Sequence, residues 1–467
     1  MTAMDPRTRR LLEAPIVPTL LRLAAPNMLV MVAQAAAGLI ETWFVGKLGT
    51  DALAGMALVF PIVMLMQMTS AGAMGGGIAS SIARALGARR REEADALVWH
   101  AVVIAVGFGL LFTLALWIGG RWLYTRMGGT GASLEAAMVY SHWVFAGAVL
   151  VWLFNALAAV IRGTGNMAVP AKVTVIGVLG LVPLSPLLIF GWGPIPGMGI
   201  AGGAAALLLY YLGGTLALLA YLRSRHSLLR PAWRSVRLRW PLFSDILRVG
   251  LFGAVSTVAT NLSIGIATAL AGQFGPGAIA GYGTASRLEY LLVPLVFGLG
   301  APLVAMVGVS IGAGQRERAL RVSWAGAAIA FTLTEAIGLM AALFPRQWLL
   351  LFGHDPAMLE AGTQYLRTVG PLYGFFGLGL VLYFASQGAG RLLWPVLGNI
   401  ARLAVAAIGG WAALRWGGGL VQVFLAQGAA LVVYGLVIAA AIAGGAWFGR
   451  PGWPRTPAGL VRRLARG

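Results

Sequence analysis

Three polar side chains, Asn27, Gln34 and Glu41, fall seven residues apart in the largely apolar stretch LLRLAAPNMLVMVAQAAAGLIETWFVGKLGTD, residues 20–51. Seven residues is close to two helical turns, so on one long helix all three line nearly one face. Glu41 stands about one turn before the Gly46–Gly49 break, with Thr42, Trp43, Phe44 and Val45 still beyond it. A carboxyl group at membrane depth is costly and is a functional candidate for that reason. Its chemistry would be the loading and release of a proton or small cation. Gln34 on the same face, with Tyr140 and Asn155 further along the chain, offers hydrogen-bonding partners for the carboxylate.

The elements that must hold these groups are membrane helices. Of 467 residues, 59% are hydrophobic and only 10% charged, against roughly a quarter charged in soluble domains. Twelve apolar stretches are long enough to cross a bilayer, with approximate limits 18–45, 52–80, 95–119, 136–161, 168–190, 199–222, 243–271, 277–311, 320–344, 358–387, 392–414 and 419–447. The net charge of +20 does not point to nucleic acid, because the basic residues cluster between spans. Arg7, Arg9 and Arg10 precede the first span, Arg89, Arg90 and Arg91 follow the second, and six arginines from Arg223 to Arg239 separate the sixth from the seventh. The alternate loops are sparse in charge, so both termini are expected on the cytoplasmic side. No cleavable signal peptide is evident.

The chain repeats itself. GKLGTDALAG (46–55) returns as GQFGPGAIAG (272–281), displaced by 226, and LGARRREEA (86–94) as IGAGQRERA (311–319), displaced by 225. RGTGNMAVP (162–170) returns as QGAGRLLWP (387–395), again displaced by 225. Each half holds six spans, an even number, so the halves enter the membrane in the same direction, as parallel repeats about an axis along the membrane normal. The expected division is a cytoplasmic segment 1–17, an N-lobe 18–222, a linker 223–242, a C-lobe 243–447 and a basic tail 448–467, with a central cavity between the lobes.

These motifs resemble the MATE (multidrug and toxic compound extrusion) transporters. The pattern PxxxxxxxQxxxxxxET followed by WFVGKLGTDALAG looks like the family's first-helix signature, and GGGIASSIARALGARRREEA (75–94) like its second-helix end and following loop. RGTGN, its half-repeat QGAG, and GYGTASRLE (281–289) fit as well. The likeness covers residues 18–445 and is closest to the bacterial DinF-like branch. It implies an all-α fold of two six-helix lobes and a monomeric, multi-pass exporter of the bacterial inner membrane. Its implied cargo is cationic or amphipathic small molecules, driven by inward H⁺ or Na⁺, with no other cofactor. Two departures bear on the ion. Glu41 stands where the family usually has Asp, and LVPLSP puts Leu181 and Ser185 where the branch usually has Asn and Asp. Fewer hard oxygen ligands remain, which favours H⁺ over Na⁺.

In the C-lobe the seventh span carries Thr257, Thr260, Asn261 and Ser263 but no acid, and Ala267 takes the place of Glu41. The lobes are therefore expected to divide labour, with proton work in the N-lobe. Glu289, two residues after Arg287, is read either as a structurally neutralised acid or as a binding group. Glu335, in mid-span, is open between packing and function, and Arg402 is expected to snorkel or to face the cavity. Asn27, Met31, Asn261, Thr260, Glu289, Tyr373 and Phe376 are candidates for the substrate cavity, where Met and aromatic side chains make an adaptable surface.

Enzymatic readings find little support. There is no cysteine, His100, His142, His226 and His354 lack metal-ligand spacing, and the glycine-rich stretches lack a Walker lysine. The competing functions are a lipid-linked oligosaccharide flippase of the same superfamily and a non-transporting membrane scaffold.

Overall fold

The computed structural model describes residues 5–231 and 238–448. It begins with a short amphipathic helix, α1 (Pro6–Glu13), whose first turn is capped by the Asp5 carboxylate accepting from Arg7 N–H at 2.8 Å. The N-lobe follows as α2 (Ile16–Gly46), α3 (Thr50–Gln67), α4 (Gly75–Gly87), α5 (Arg91–Arg126), α6 (Gly131–Ala146), α7 (Ala148–Gly163), α8 (Ala168–Phe190) and α9 (Ile200–Arg223). The C-lobe comprises α10 (Trp240–Gly272), α11 (Pro276–Gly312), α12 (Arg316–Leu343), α13 (Pro345–Leu349), α14 (Pro356–Val369), α15 (Tyr373–Ala389), α16 (Leu393–Arg415) and α17 (Leu420–Ala443).

Eleven of the spans are long and apolar enough to cross a bilayer singly, and α6 with α7, bent by 47° at Gly147, completes twelve. The second span runs from α3 to α4 through a π-helical turn at Met68–Met74, and the tenth from α14 to α15 through a short 3₁₀ turn at Gly370–Leu372. Breaks of this kind free backbone groups that must find partners in the membrane. Glu335 supplies one: its Oε2 accepts from Gly374 N–H at 2.7 Å in the first turn of α15. Large apolar side chains such as Leu39, Ile118, Ile176, Leu216 and Ile408 stay exposed around the perimeter, the surface that lipid covers.

Two local features depart from the sequence expectation. The uncharged loop at 191–199 contains a small antiparallel hairpin, β1 (Gly191–Trp192) with β2 (Ile195–Pro196). The segment 1–17 contains α1, bound to the bundle by Arg318, which donates to the carbonyls of Leu11 and Ala14. Of the linker, the ends are tied to α5: Arg230 N–H reaches Asp95 at 2.7 Å and Arg239 N–H reaches His100 Nε2 at 2.9 Å. Residues 232–237, with Arg234 and Arg237, and the basic tail beyond Phe448 lie outside the described residues.

The lobes meet at the Arg-rich end of the bundle, where α4 packs on α10, α11 and α15. Contact there is backbone to backbone. A Cβ on Gly87 would overlap the Val309 carbonyl, and one on Gly312 would overlap the Arg84 carbonyl. Small residues permit such approach where no hydrophobic driving force acts between helices. Arg84 then bridges the seam: its guanidinium pairs with Asp245 at 2.8 Å and donates to Gly388 O at 3.1 Å. Away from this end, α3 and α6 pack against N-lobe helices and α14 against C-lobe helices.

Candidate functional site

Glu41 lies near the end of α2, only 6% exposed. Tyr140, on α6, donates its hydroxyl to Glu41 Oε1 at 3.2 Å. On the other side α9 brings Gly203, where a Cβ would stand 3.5 Å from the same oxygen, beside Ile189 and Val45. The carboxyl group therefore has an apolar wall and one hydroxyl donor, and among the described residues no cation pairs with it.

The other expected partners do not reach it. Asn155, on α7, donates to Gln67 Oε1 at 3.0 Å and to Ser70 Oγ at 2.8 Å, at the start of the π-helical turn. It lies fifteen residues beyond Tyr140 across the Gly147 bend, about 20 Å along the helix, too far to share one carboxylate. Gln34 is half-buried on the face expected, about 10 Å along α2 from Glu41, and faces the Tyr210 hydroxyl, as does Thr174. Gln67 in turn donates to the Tyr211 hydroxyl. Tyr211 lies within electrostatic reach of both Glu41 and Tyr140, so these groups share one polar region of the N-lobe. Gln67, Ser70 and Tyr211 were missed in the sequence; the only signal was a glutamine inside an apolar span.

Asn27, a candidate for the substrate cavity, makes its hydrogen bonds across the lobes. Its Nδ2 donates to the carbonyls of Phe297 at 3.0 Å and Gly298 at 3.3 Å, tying α2 to α11 of the opposite lobe. Met31 is half-buried one turn further on. Leu181 and Ser185 are both buried, and among the described residues the Ser185 hydroxyl has no hydrogen-bond partner.

In the C-lobe, Glu289 on α11 accepts from the Tyr365 hydroxyl at 2.6 Å. Tyr373 is fully buried nearby, and the Tyr282 and Tyr365 rings pack edge to face at 5.2 Å. Arg287 does not neutralise Glu289; it lies over the Phe352 ring, 5.4 Å from its centroid. Thr260 accepts from Asn399 Nδ2 at 2.9 Å, and that amide also reaches Ser256 Oγ at 2.8 Å. Asn261 is exposed and donates back to Thr257 O of its own helix. Phe376 is buried beneath Arg402, whose guanidinium lies 5.7 Å from both the Phe376 and Tyr434 rings. Arg402 is 8% exposed; the two aromatic faces hold it, and it pairs with no acid among the described residues. Glu335 is occupied as the helix cap described above.

Comparison with known proteins gives this arrangement its family. The family model MatE matches residues 26–187 and 254–411. The chain belongs to the MatE family. One block falls in each half, ending in α8 and in α16. Curated MatE relatives span nearly the same length. The FAD transporter of Shewanella oneidensis is 26% identical over 84% of this chain and 87% of its own. The probable multidrug resistance protein NorM of Deinococcus radiodurans is 28% identical over 84% and 86%. Among solved structures, a MOP superfamily transporter from Pyrococcus furiosus superposes with a TM-score of 0.85 at 24% identity, covering 95% of this chain and 99% of that one. An outward-facing MATE multidrug transporter gives 0.85 at 23% identity, covering 96% and 99%. These structures share the two-lobe, twelve-helix fold, and the protein is a multi-pass membrane protein of the MATE multidrug transporter family.

Proposed function

We propose that this MatE chain is a secondary exporter of cationic or amphipathic small molecules that exchanges them for protons, with Glu41 as the coupling group. The observation that carries the reading is the setting of Glu41: buried, bonded to one hydroxyl, and without a cation. Holding a charge there costs free energy that pairing does not offset, so exchange between neutral and charged forms changes the energy of the site substantially. A protonated Glu41 can keep its hydroxyl partner; a charged one favours a conformation that brings water or a cationic substrate to it. Such a difference between two states is what drives alternating access. The replacement of an Asn and Asp by Leu181 and the unpartnered Ser185 supports H⁺ over Na⁺ as the driving ion.

The Arg distribution supports a bacterial inner-membrane orientation with both termini in the cytoplasm. The seam at the Arg-rich end then closes the cytoplasmic side. That both lobes and their mutual packing belong to one chain supports a functional monomer.

Uptake of a fluorescent cationic drug into inside-out vesicles under an imposed pH gradient tests the reading, with Glu41→Gln in parallel. Gradient-dependent accumulation that disappears in the variant is expected. Accumulation driven by Na⁺ alone would overturn the ion, and unchanged transport in the variant would remove Glu41 from the mechanism. FAD belongs among the substrates tried, because the Shewanella relative carries that name. A wild type that moves none of them would raise the lipid-linked oligosaccharide flippase reading.

A further inference from the structure

At the Arg-rich end of the C-lobe, α10, α16 and the segment after α17 enclose a cavity of about 170 Å³. Arg248 and Arg391 both line it, together with Phe252, Leu393, Trp394 and Trp447. Neither guanidinium has an ion-pair or hydrogen-bond partner among the described residues, and both are exposed. Leu393 and Trp394 are exposed on the same perimeter. Two guanidiniums without partners beside an apolar wall contrast with Arg84 and Arg318 at the same end, which find an acid and carbonyls.

The internal repeat shows how the other lobe treats the same place. Arg248, Gly390, Arg391 and Trp447 correspond to Arg22, Gly165, Asn166 and Tyr221 at offsets of 225 or 226. There the chain closes the nook itself. The Tyr221 hydroxyl accepts from Asn166 Nδ2 at 2.9 Å and from Arg7 Nη1 at 3.2 Å, and Leu11 of α1 lies directly over Gly165. In the C-lobe copy the neutral amide becomes a second guanidinium and the phenol an indole, so what fits this copy is an anion with an apolar body.

We propose that this cavity binds the phosphate of an anionic glycerophospholipid, with Arg248 and Arg391 as its ligands and the first carbons of its acyl chains along Phe252, Leu393 and Trp394. Guanidinium groups suit phosphate oxygens because their donors are planar and paired, and they are weakly hydrated. Basic pockets between membrane helices are where such headgroups bind, and indole rings sit at headgroup level. A free phosphate would share the guanidinium contacts but make no use of the apolar wall. Placing this lipid in the cytoplasmic leaflet rests on the orientation proposed above; binding itself does not. The assay in detergent therefore reads the site even if the orientation or the transport reading fails.

The experiment uses the full-length protein purified in a neutral detergent. Thermal unfolding and native mass spectrometry are followed with added phosphatidylglycerol, phosphatidylethanolamine or inorganic phosphate. Phosphatidylglycerol is expected to raise Tm by several degrees and to stay bound in the gas phase, with little effect from the other two. Arg248→Ala with Arg391→Ala should weaken phosphatidylglycerol binding at least ten-fold. The double lysine variant, which keeps both charges and guards against simple misfolding, should retain most of it, and Arg22→Ala should leave it unchanged. An equal shift with phosphatidylethanolamine, or full binding by the double alanine variant, would overturn the site. An equal shift with inorganic phosphate would overturn the lipid and leave a soluble anion.

Discussion

Tyr365 is the repeat counterpart of Tyr140, displaced by 225, and each donates its hydroxyl to a buried or half-buried carboxylate, Tyr140 to Glu41 at 3.2 Å and Tyr365 to Glu289 at 2.6 Å. The tyrosines are equivalent but the acids are not. Glu41 comes from the first span of its lobe and Glu289 from the second span of its own, while Ala267 fills the place that would match Glu41. The two lobes thus keep one donor in common and present its acceptor from different helices.

Tyr140→Phe should therefore slow proton-driven drug uptake by about ten-fold, the loss expected for one hydrogen bond to an ionisable group. Tyr365→Phe should leave proton coupling in place. Vesicle uptake under a pH gradient compares them, and loss of coupling in Tyr365→Phe alone would move the proton work to the C-lobe.

The buried Ser185 hydroxyl has no partner among the described residues, and an unsatisfied polar group of this kind costs about 1–3 kcal/mol. Ser185→Ala should keep or raise the unfolding temperature of the purified protein. A drop of several degrees would show that Ser185 has a partner in the working protein.

Glu335 caps the broken tenth span. Glu335→Ala strands the Gly374 N–H and should cost about 1–2 kcal/mol, read as a lower unfolding temperature, whereas Glu335→Gln keeps an acceptor and should lie close to wild type. Normal stability with lost transport in Glu335→Gln would instead mark the residue as part of the transport chemistry.

The Arg84–Asp245 pair joins the lobes at their closed end. Asp245→Asn should loosen that seam and speed labelling of a cysteine placed at Ser81 by a membrane-impermeant maleimide, several-fold, from the Arg-rich side. The chain has no native cysteine, so the reading is clean. Unchanged labelling would mean that the glycine contacts alone keep the seam shut.

Much of this was legible in residue order. Twelve apolar spans, alternating basic loops and a constant repeat offset specify two parallel six-helix lobes, because lipid leaves few other ways to satisfy the backbone. The Glu41–Tyr140 pair was legible as well, one acid in the first span and one hydroxyl in the fourth. What order could not convey was reach. Asn155 and Gln34 have suitable chemistry, but residues on one face of a helix are separated along its axis, and the Gly147 bend turns α7 toward the π-helical turn instead. For Arg402, residue order could not show the faces of Phe376 and Tyr434 that hold it, because they come from helices that sequence does not place beside it.

Gly87 meets Val309 and Gly312 meets Arg84, and these are the same contact made twice, since Gly312 is the counterpart of Gly87 and Val309 of Arg84. A surface patch that is its own complement is the signature of a two-fold homodimer. The seam is thus a dimer interface carried within one polypeptide. Each six-helix half bears the recognition surface for the other, and the covalent connection between them raises their effective concentration.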